Sequence, residues 1–379
     1  MKKTLSILLT FFSAFSGVSL GEEGKDVLQS VAYGDLSAYI NQSVSSPENS
    51  CANDRKSSSA YLDILISKSF MGDKTCQKVF TGNKGNTAKG DETYAKALAY
   101  AMAEEMCANS ELHQNFVNKN KKLFDSDALS LKEFNGTNVG KTNANNAAAT
   151  YSLLYALGYR ESSGNFIRPR DPYAEPLNTG PKRETGFTQT SANTLNKTYI
   201  LKMPESERHI FPQKVFKHYV STLSKMNSQQ QMAKFCLNDK LKGNQQTRLI
   251  ENDSKKEGKK VEFDYEGRGL FELFQNKSSL CQNLKTNPEG LYVAKDKDND
   301  PVVKCFNDLH KNCPGFSIKY GATIARTNRK SHGPLRPATE SKNDPKPSCQ
   351  LLFNSIVQDK EKICAEMGIE AGPDVEKKH

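Results

Sequence analysis

YALGYRESSGNF at residues 155–166 and ETGFTQTSANTL at residues 184–195 are the stretches that decide the predicted fold. Apolar and small residues lead up to Glu161 on one stripe at helical spacing: Ala147, Tyr151, Leu154, and Leu157 or Gly158. The polar turn SSGN follows at residues 162–165, so the pattern predicts a helix that ends close to Glu161. Four prolines and two glycines within residues 166–186 predict a long loop before the second stretch.

Glu161 is the first candidate for chemistry. Its carboxyl points to the side of the apolar stripe, and an apolar environment disfavours the charged form of a carboxyl and raises its pKa. A carboxyl that keeps its proton at neutral pH is what a general acid needs to protonate a glycosidic oxygen. The alternative is a helix-end glutamate that pairs with Arg160, Arg168 or Arg170.

The first stretch resembles the Glu-Ser motif of the lytic transglycosylase and goose-type lysozyme superfamily. The resemblance rests on Glu161-Ser162 and on Asn165-Phe166 shortly after them. In that family the glutamate is the catalytic acid at the end of a helix. The resemblance therefore implies a mainly α, lysozyme-like helical domain with a cleft, in which Glu161 is catalytic and Ser162 contacts the glycan.

The second stretch is similar to the Gly-Leu-Met-Gln segment of the same family, which lines the sugar-binding cleft. The similar residues are GFTQT at 186–190, and Thr194 lies at a place similar to that of the threonine that closes the family's pattern. Thr188 stands where the family has methionine. The resemblance implies that Thr188, Gln189 and Thr190 bind the glycan.

A third, shorter resemblance concerns Tyr320 in the segment IKYGA at residues 318–322. The family has an Ala-Tyr-Asn-type motif here, whose tyrosine hydrogen-bonds near the acid, so the resemblance implies this role for Tyr320. Neither the preceding alanine nor the following asparagine of that motif is present. The alternative is a tyrosine that packs on a helix.

The reaction type depends on whether a second carboxylate acts with Glu161. Retaining and inverting glycosidases typically use two. The resemblance implies a single glutamate, which in lytic members protonates the leaving oxygen and then acts as base while the substrate's 6-hydroxyl closes a 1,6-anhydro ring; a lysozyme uses water instead. Asp171, Glu175 and Glu184 are the possible second carboxylates, and Glu184 lies nearest to Gln189. The alternative is that they are loop charges balanced by nearby arginines and lysines.

The N-terminal residues predict export. Lys2 and Lys3 form a positive n-region, residues 5–15 form an apolar h-region, and Ser19 and Gly21 are the small residues of a cleavage site. We therefore predict a signal peptide at residues 1–21 and a periplasmic or secreted protein. No later apolar stretch approaches about 18 residues, so we expect no stable membrane anchor.

The nine cysteines of an exported chain favour disulfides, and their odd number leaves at least one outside any intrachain pair. The spacing lacks the close C-x₂-C pairs of zinc sites. The segment DKDND at residues 296–300 begins like a calcium loop, but Pro301 and Asn307 stand where that loop needs glycine and glutamate. We therefore expect a surface turn there, and neither a metal nor an organic cofactor.

The formal net charge of +10 favours a polyanionic partner. Export and the even spread of basic residues argue against nucleic acid and favour an acidic cell wall; a basic surface with no specific partner is the alternative. We expect a peptidoglycan-cleaving glycosidase that acts on β-1,4 linkages between N-acetylmuramic acid and N-acetylglucosamine. Two other functions stay open: an enzyme for deacetylated peptidoglycan or chitosan, and a non-catalytic wall-binding module of the same fold.

Composition and pattern predict six segments along the chain. These are the signal peptide at 1–21, an N-terminal helical region at 22–135, a lysozyme-like catalytic core at 136–235, a charged insertion or linker at 236–260, a disulfide-tied C-terminal part of the catalytic domain at 261–370, and a tail at 371–379. Beside the helix that ends at Glu161, helices are predicted at 91–107, 188–199, 215–235 and 318–329.

Overall fold

Helices dominate the parts of the chain that the computed structural model describes. These parts are residues 58–81, 86–107, 143–162, 164, 184–196, 210–241, 247–250, 259–262, 265–275, 279–295, 299–327 and 349–369. Helix accounts for 71% of them, which confirms the prediction of a mainly α protein. The predicted signal peptide, Asp171, Glu175 and the predicted tail lie outside the described residues.

The described residues form eleven α-helices, two short 3-10 helices and three small sheets. The α-helices are α1 (Ala60–Gly72), α2 (Lys74–Gln77), α3 (Glu92–Cys107), α4 (Asn143–Ser162), α5 (Ile210–Lys225), α6 (Gln229–Phe235), α7 (Arg268–Phe274), α8 (Pro301–Asn312), α9 (Pro314–Thr327), α10 (Gln350–Gln358) and α11 (Lys360–Glu366). The 3-10 helices are η1 (Ala192–Leu195) and η2 (Asn238–Lys240). Each sheet is an antiparallel pair: β1 (Lys78–Thr81) with β2 (Asn86–Lys89), β3 (Glu184–Thr185) with β4 (Thr190–Ser191), and β5 (Thr247–Ile250) with β6 (Lys259–Glu262).

A first hydrophobic core is built mainly by α1, α3, α4, α10 and α11. Ser59 begins α1, because its hydroxyl accepts a hydrogen bond from the amide of Leu62 at 3.0 Å. Leu62, Ile66 and Phe70 then follow at four-residue steps and turn one buried face toward the core. Helix α3 has the sequence ETYAKALAYAMAEEMC, whose alanines have high helix propensity and are buried. Helix α4 packs against both α3 and α10.

A second core is built mainly by α5, α6, α7 and α8 and by one face of α9. The carboxylate of Asp300 accepts hydrogen bonds from the amides of Val302 at 3.0 Å and Val303 at 3.1 Å, so it caps α8. Pro301 occupies the start of that helix, where its missing N–H costs nothing. Asp300, the last residue of the DKDND segment, is therefore a helix cap.

Helix α9 contributes to both cores. Ile318 and Ala322 belong to the first core, whereas Phe316 and Tyr320 belong to the second. Residues four apart share a helix face and residues two apart lie on opposite sides, which explains this division. The predicted helix at 318–329 is thus the later part of an element that begins four residues earlier, at Pro314.

Four disulfides cross-link the described residues, as predicted for the cysteines. They join Cys76 to Cys349, Cys107 to Cys364, Cys236 to Cys313 and Cys281 to Cys305. The first two connect the N-terminal helices to α10 and α11 across 273 and 257 residues of sequence. The ninth cysteine, Cys51, lies outside the described residues. The four disulfides are consistent with an oxidising compartment, and export itself stays a prediction.

Three predictions about local structure were wrong in part. Within its described residues, 188–196, the predicted helix at 188–199 is instead a turn, the strand β4 and η1, because Gln189 has a left-handed φ of 50° that interrupts a helix. The predicted helix at 215–235 is two helices, since Ser228 caps a new one, α6. The predicted linker at 236–260 begins with core residues, since Cys236, Leu237 and Leu241 are fully buried, and it contains β5, which pairs with β6.

Candidate functional site

Helix α4 ends at the candidate acid. The carbonyl of Gly158 accepts two hydrogen bonds there, from the hydroxyl of Ser162 at 2.8 Å and from the amide of Gly164 at 3.0 Å. Gly164 has a φ of +72°, a left-handed conformation that glycine adopts without strain. Glu161 is partly exposed, whereas Ser162 is buried. The predicted helix end is therefore right to within one residue, and the Ser162 hydroxyl is bonded within its own helix.

Gly158 lies one turn before Glu161 and allows the two motif stretches to touch. A Cβ atom at this position would lie 1.8 Å from the Tyr94 hydroxyl and 2.5 Å from Cδ2 of Phe187. The Tyr94 hydroxyl donates a hydrogen bond to the carbonyl of Leu154 at 3.1 Å, which holds α3 against α4. Phe187 is fully buried, with its ring centroid 6.0 Å from that of Tyr94. The GFTQT stretch is thus seated directly on the helix that carries Glu161.

Residues 186–189, here called the glutamine turn, connect β3 to β4. Gly186 has a φ of +75° and Gln189 has a φ of 50°. The carbonyl of Gly186 accepts hydrogen bonds from the backbone amide of Gln189 at 3.2 Å and from its side-chain Nε2 at 2.6 Å. The side chain of Gln189 therefore closes the turn with its nitrogen and leaves its carbonyl oxygen for another partner.

Three side-chain oxygens beside the glutamine turn are buried without a hydrogen-bond partner among the described residues: Thr185 Oγ1, Thr188 Oγ1 and Gln189 Oε1. Leaving such a group unpaired costs about 1–3 kcal/mol. Thr188 and Gln189 are each 7% exposed, so they lie just beneath the surface. Gly321 of α9 packs against Thr188, where a Cβ would come within 2.9 Å of its side chain. A ligand that reached these oxygens would supply the missing hydrogen bonds.

Tyr320 joins this arrangement through the threonine that follows the turn. Its hydroxyl is 2.5 Å from Oγ1 of Thr194, which also donates to the carbonyl of Ser191 at 2.6 Å. Tyr320 is fully buried. The structure therefore brings together the residues of the second and third resemblances, and Tyr320 anchors η1.

His310 was missed in the sequence, yet it lies beneath the glutamine turn. Its Nε2 is 3.1 Å from Oγ1 of Thr190, and its Nδ1 is 3.0 Å from Oγ of Ser317. Burial lowers the pKa of His310 to about 3, so the ring is neutral at physiological pH. The contact joins residues 120 positions apart, and no local pattern signals it.

A charged pair stands next to Tyr320 on α9. Nζ of Lys319 is 2.7 Å from Oε2 of Glu104 on α3. Burial, the largest single effect, would lower the pKa of Lys319, but Glu104, Tyr219 and Glu105 together outweigh burial and raise the pKa above its usual value. Helix α4 also contacts α3, because the Tyr151 hydroxyl of α4 donates a hydrogen bond to Oε2 of Glu105 on α3 at 2.8 Å. These contacts set how α9 and α4 lie on α3, although the sequence pattern did not predict them.

Glu184 and Asp171 are among the residues predicted as possible second carboxylates. Glu184 opens β3 and pairs with Ser191 across the hairpin; its side chain is not described. Asp171 lies outside the described residues, so the second carboxylate stays a prediction. Asp73, Cys76 and Cys349 meet at a spacing that suits metal ligands, but the two sulfur atoms are bonded to each other and are not thiolates.

Comparison with protein-family models, with curated proteins and with solved structures gives no match to this chain. The resemblance to the lytic transglycosylase and goose-type lysozyme superfamily therefore rests on the motif residues themselves. None of the helices within the described ranges is both long enough and apolar enough to cross a membrane.

Proposed function

We propose that the protein cleaves β-1,4 linkages of peptidoglycan with Glu161 as the general acid and base. One observation carries the proposal: Phe187 packs against Gly158, and this contact seats the glutamine turn on α4, the helix that carries Glu161. A catalytic carboxyl and a glycan-binding turn have to be neighbours for one sugar chain to reach both. The two stretches meet although a long proline-containing segment separates them in sequence.

The glutamine turn supplies groups suited to an N-acetylated sugar. Oε1 of Gln189 accepts hydrogen bonds, and Oγ1 of Thr188 donates or accepts one. Both oxygens lack a partner within the described part of the chain. Sugar hydroxyls and acetamido N–H groups provide the complementary donors. We assign glycan binding to these two residues and a supporting role to Ser162, Thr190 and Tyr320, whose hydroxyls already have protein partners.

Glu161 performs both proton transfers in this proposal. Its carboxylic acid gives a proton to the glycosidic oxygen while the bond between that oxygen and C1 of N-acetylmuramic acid breaks. The resulting carboxylate then takes the proton of the 6-hydroxyl of this N-acetylmuramic acid. The oxygen of the 6-hydroxyl attacks C1 of the same sugar, which yields a 1,6-anhydro end. If water attacks instead, the product has a reducing end. The same residue serves both outcomes, because each needs one acid and then one base.

Digestion of purified sacculi tests the assignment of Glu161. The Glu161→Gln variant should release soluble fragments about 10²–10⁴-fold more slowly, since general acid–base groups contribute factors of this size. Glu272→Gln, at an exposed position on α7, is the matched control and should digest like the wild type. Thermal unfolding of both variants shows whether the fold is intact. Full activity of folded Glu161→Gln would overturn the assignment.

The same assay separates the competing functions. Mass spectrometry distinguishes anhydro products from reducing products, because the anhydro form lacks one water. Faster digestion of deacetylated wall than of acetylated wall would favour the chitosan-type enzyme. Binding of the wild type to sacculi without release of fragments would replace the proposed enzyme with a wall-binding module.

A further inference from the structure

His310 is held between two hydroxyl groups on different elements. It lies on α8 and is fully buried. Nε2 faces Thr190, the first residue after the glutamine turn, and Nδ1 faces Ser317 on α9. A neutral imidazole donates from one ring nitrogen and accepts at the other, and either hydroxyl can take either part. His310 therefore links the strand that leaves the turn to the two helices beneath it.

The ring of His310 has a fixed orientation because aromatic residues surround it. Ring centroids of Phe306, Phe316 and Tyr320 lie 4.5, 4.7 and 5.6 Å away. Burial among such apolar rings favours the neutral imidazole, so both nitrogens keep their partners at physiological pH. The neighbouring Tyr320 holds Thr194 in the same way. Two neighbouring aromatic residues thus anchor Thr190 in β4 and Thr194 in η1.

The same imidazole also supports the beginning of the glutamine turn. A Cβ at Gly186 would lie 2.6 Å from Nδ1 of His310 and 2.6 Å from Oγ of Ser317. The backbone of Gly186 is therefore in direct contact with the hydrogen-bonded pair. The carbonyl of Gly186 also accepts the hydrogen bond from Nε2 of Gln189. Support at Gly186 and Thr190 fixes both ends of the turn, and so fixes where Oε1 of Gln189 points.

We infer that His310 is a positioning residue of the proposed glycan site, which acts through Thr190 to hold Gln189 in its binding orientation. The inference rests on the proposed function, because it is the glycan that Gln189 would bind. His310 is fully buried and touches no substrate. Its contribution is to keep a short turn with two left-handed residues in one geometry.

Two substitutions of His310 separate positioning from packing. His310→Phe fills the aromatic surroundings but removes both hydrogen bonds, whereas His310→Gln keeps a polar group that reaches Thr190. If His310 contributes only packing, His310→Phe should preserve glycan affinity better than His310→Gln. A positioning role predicts that Gln preserves glycan affinity better even if Phe gives the more stable protein. The order of the two variants is therefore informative whatever their absolute stabilities.

Affinity is measured by calorimetry with a tetrasaccharide of alternating N-acetylglucosamine and N-acetylmuramic acid, in the Glu161→Gln background so that no turnover occurs. We expect His310→Phe to weaken binding about tenfold, the effect of losing one hydrogen bond between Gln189 and the glycan, and His310→Gln to recover most of the affinity. Thr190→Val should weaken binding similarly, and combining it with His310→Phe should add little. Tyr100→Phe removes hydrogen bonds to Ser59 and Asp63 of the first core and should leave affinity unchanged.

The outcomes test the positioning role of His310 separately from the proposed function. Unchanged affinity in folded His310→Phe and in Thr190→Val would overturn the positioning role while leaving the proposed function intact. If His310→Phe does not fold, Thr190→Val decides alone, because it changes one hydroxyl at a slightly exposed position. A wild type that neither binds the tetrasaccharide nor digests sacculi would overturn the proposed function and this inference with it.

Discussion

Gly158 is the residue on which the geometry of the candidate site depends most directly. It lies on the face of α4 that leads to Glu161, and the absence of a side chain lets Tyr94 and Phe187 approach the helix backbone. In an isolated helix glycine is less favourable than alanine by about 1 kcal/mol. Here the packing that Gly158 allows outweighs that intrinsic cost, because the ring of Phe187 can be fully buried against α4 only when position 158 has no side chain.

Gly158→Ala should destabilise the protein and reduce activity together. The added methyl group meets the Tyr94 hydroxyl and Phe187, and overpacking of this kind typically costs about 1–3 kcal/mol. Urea unfolding measures the loss of stability, and digestion of sacculi measures the loss of the activity proposed above. Gly72→Ala is the control: no atom lies within 4 Å of a Cβ there, so this variant should be neutral or slightly more stable. Equal stability of the two variants would contradict the packing account.

The site residues differ in how far the sequence could predict them. The position of Glu161 near the end of α4 was predictable because the stripe that leads to it is local and repeats at helical spacing. The motif locates the glutamine turn, but the sequence pattern predicts a helix at Gln189, whose φ is left-handed in the structure. His310 was beyond prediction, since its partners Thr190 and Ser317 come from two other elements. Local periodicity carries information on helix faces and none on which distant hydroxyl meets a buried ring.

At the level of elements, α8 matters because it carries His310 and supports η1 and β3. Its start is defined by Asp300, which satisfies two amides that would otherwise lack partners. The sequence pattern predicts a surface turn over the segment that contains this aspartate, and does not predict that Asp300 is a helix cap. Helix starts were harder to predict than apolar faces in this chain, as Ser228 also shows by beginning α6 within a pattern that looked continuous.

Asp300→Ala should lower the free energy of unfolding by about 1 kcal/mol, the usual cost of losing a helix cap. Asp300→Asn is the matched variant and should retain most of the stability, because its side-chain oxygen can accept the same two hydrogen bonds. Chemical denaturation measures both changes. A loss of equal size in both variants would show that the cap hydrogen bonds are not what Asp300 contributes.

For the whole molecule, long-range links hold elements that are far apart in sequence. Helix α9 joins the two cores through its opposite faces, and the ion pair of Lys319 with Glu104 connects it to α3. The Cys107–Cys364 disulfide joins α3 to α11. The predicted segments at 22–135 and 261–370 thus contribute to one core, a pairing that composition does not reveal. Eight cysteines alone allow 105 connectivities.

The disulfides should stabilise the protein according to the length of chain that they close. Cys107–Cys364 spans 257 residues and Cys281–Cys305 spans 24. While Cys76–Cys349 is intact, the shortest loop that Cys107–Cys364 closes runs through that bond and is roughly twice as long as the loop of Cys281–Cys305. Chain entropy therefore gives Cys107–Cys364 an advantage of about 0.6 kcal/mol. We expect the double variant Cys107→Ala, Cys364→Ala to lose that much more stability than Cys281→Ala, Cys305→Ala in urea unfolding without reductant. All four sulfurs belong to buried residues, so the cost of cavities is similar in both pairs. An equal loss, or a larger loss for the shorter loop, would show that local packing rather than chain entropy determines what these cross-links contribute.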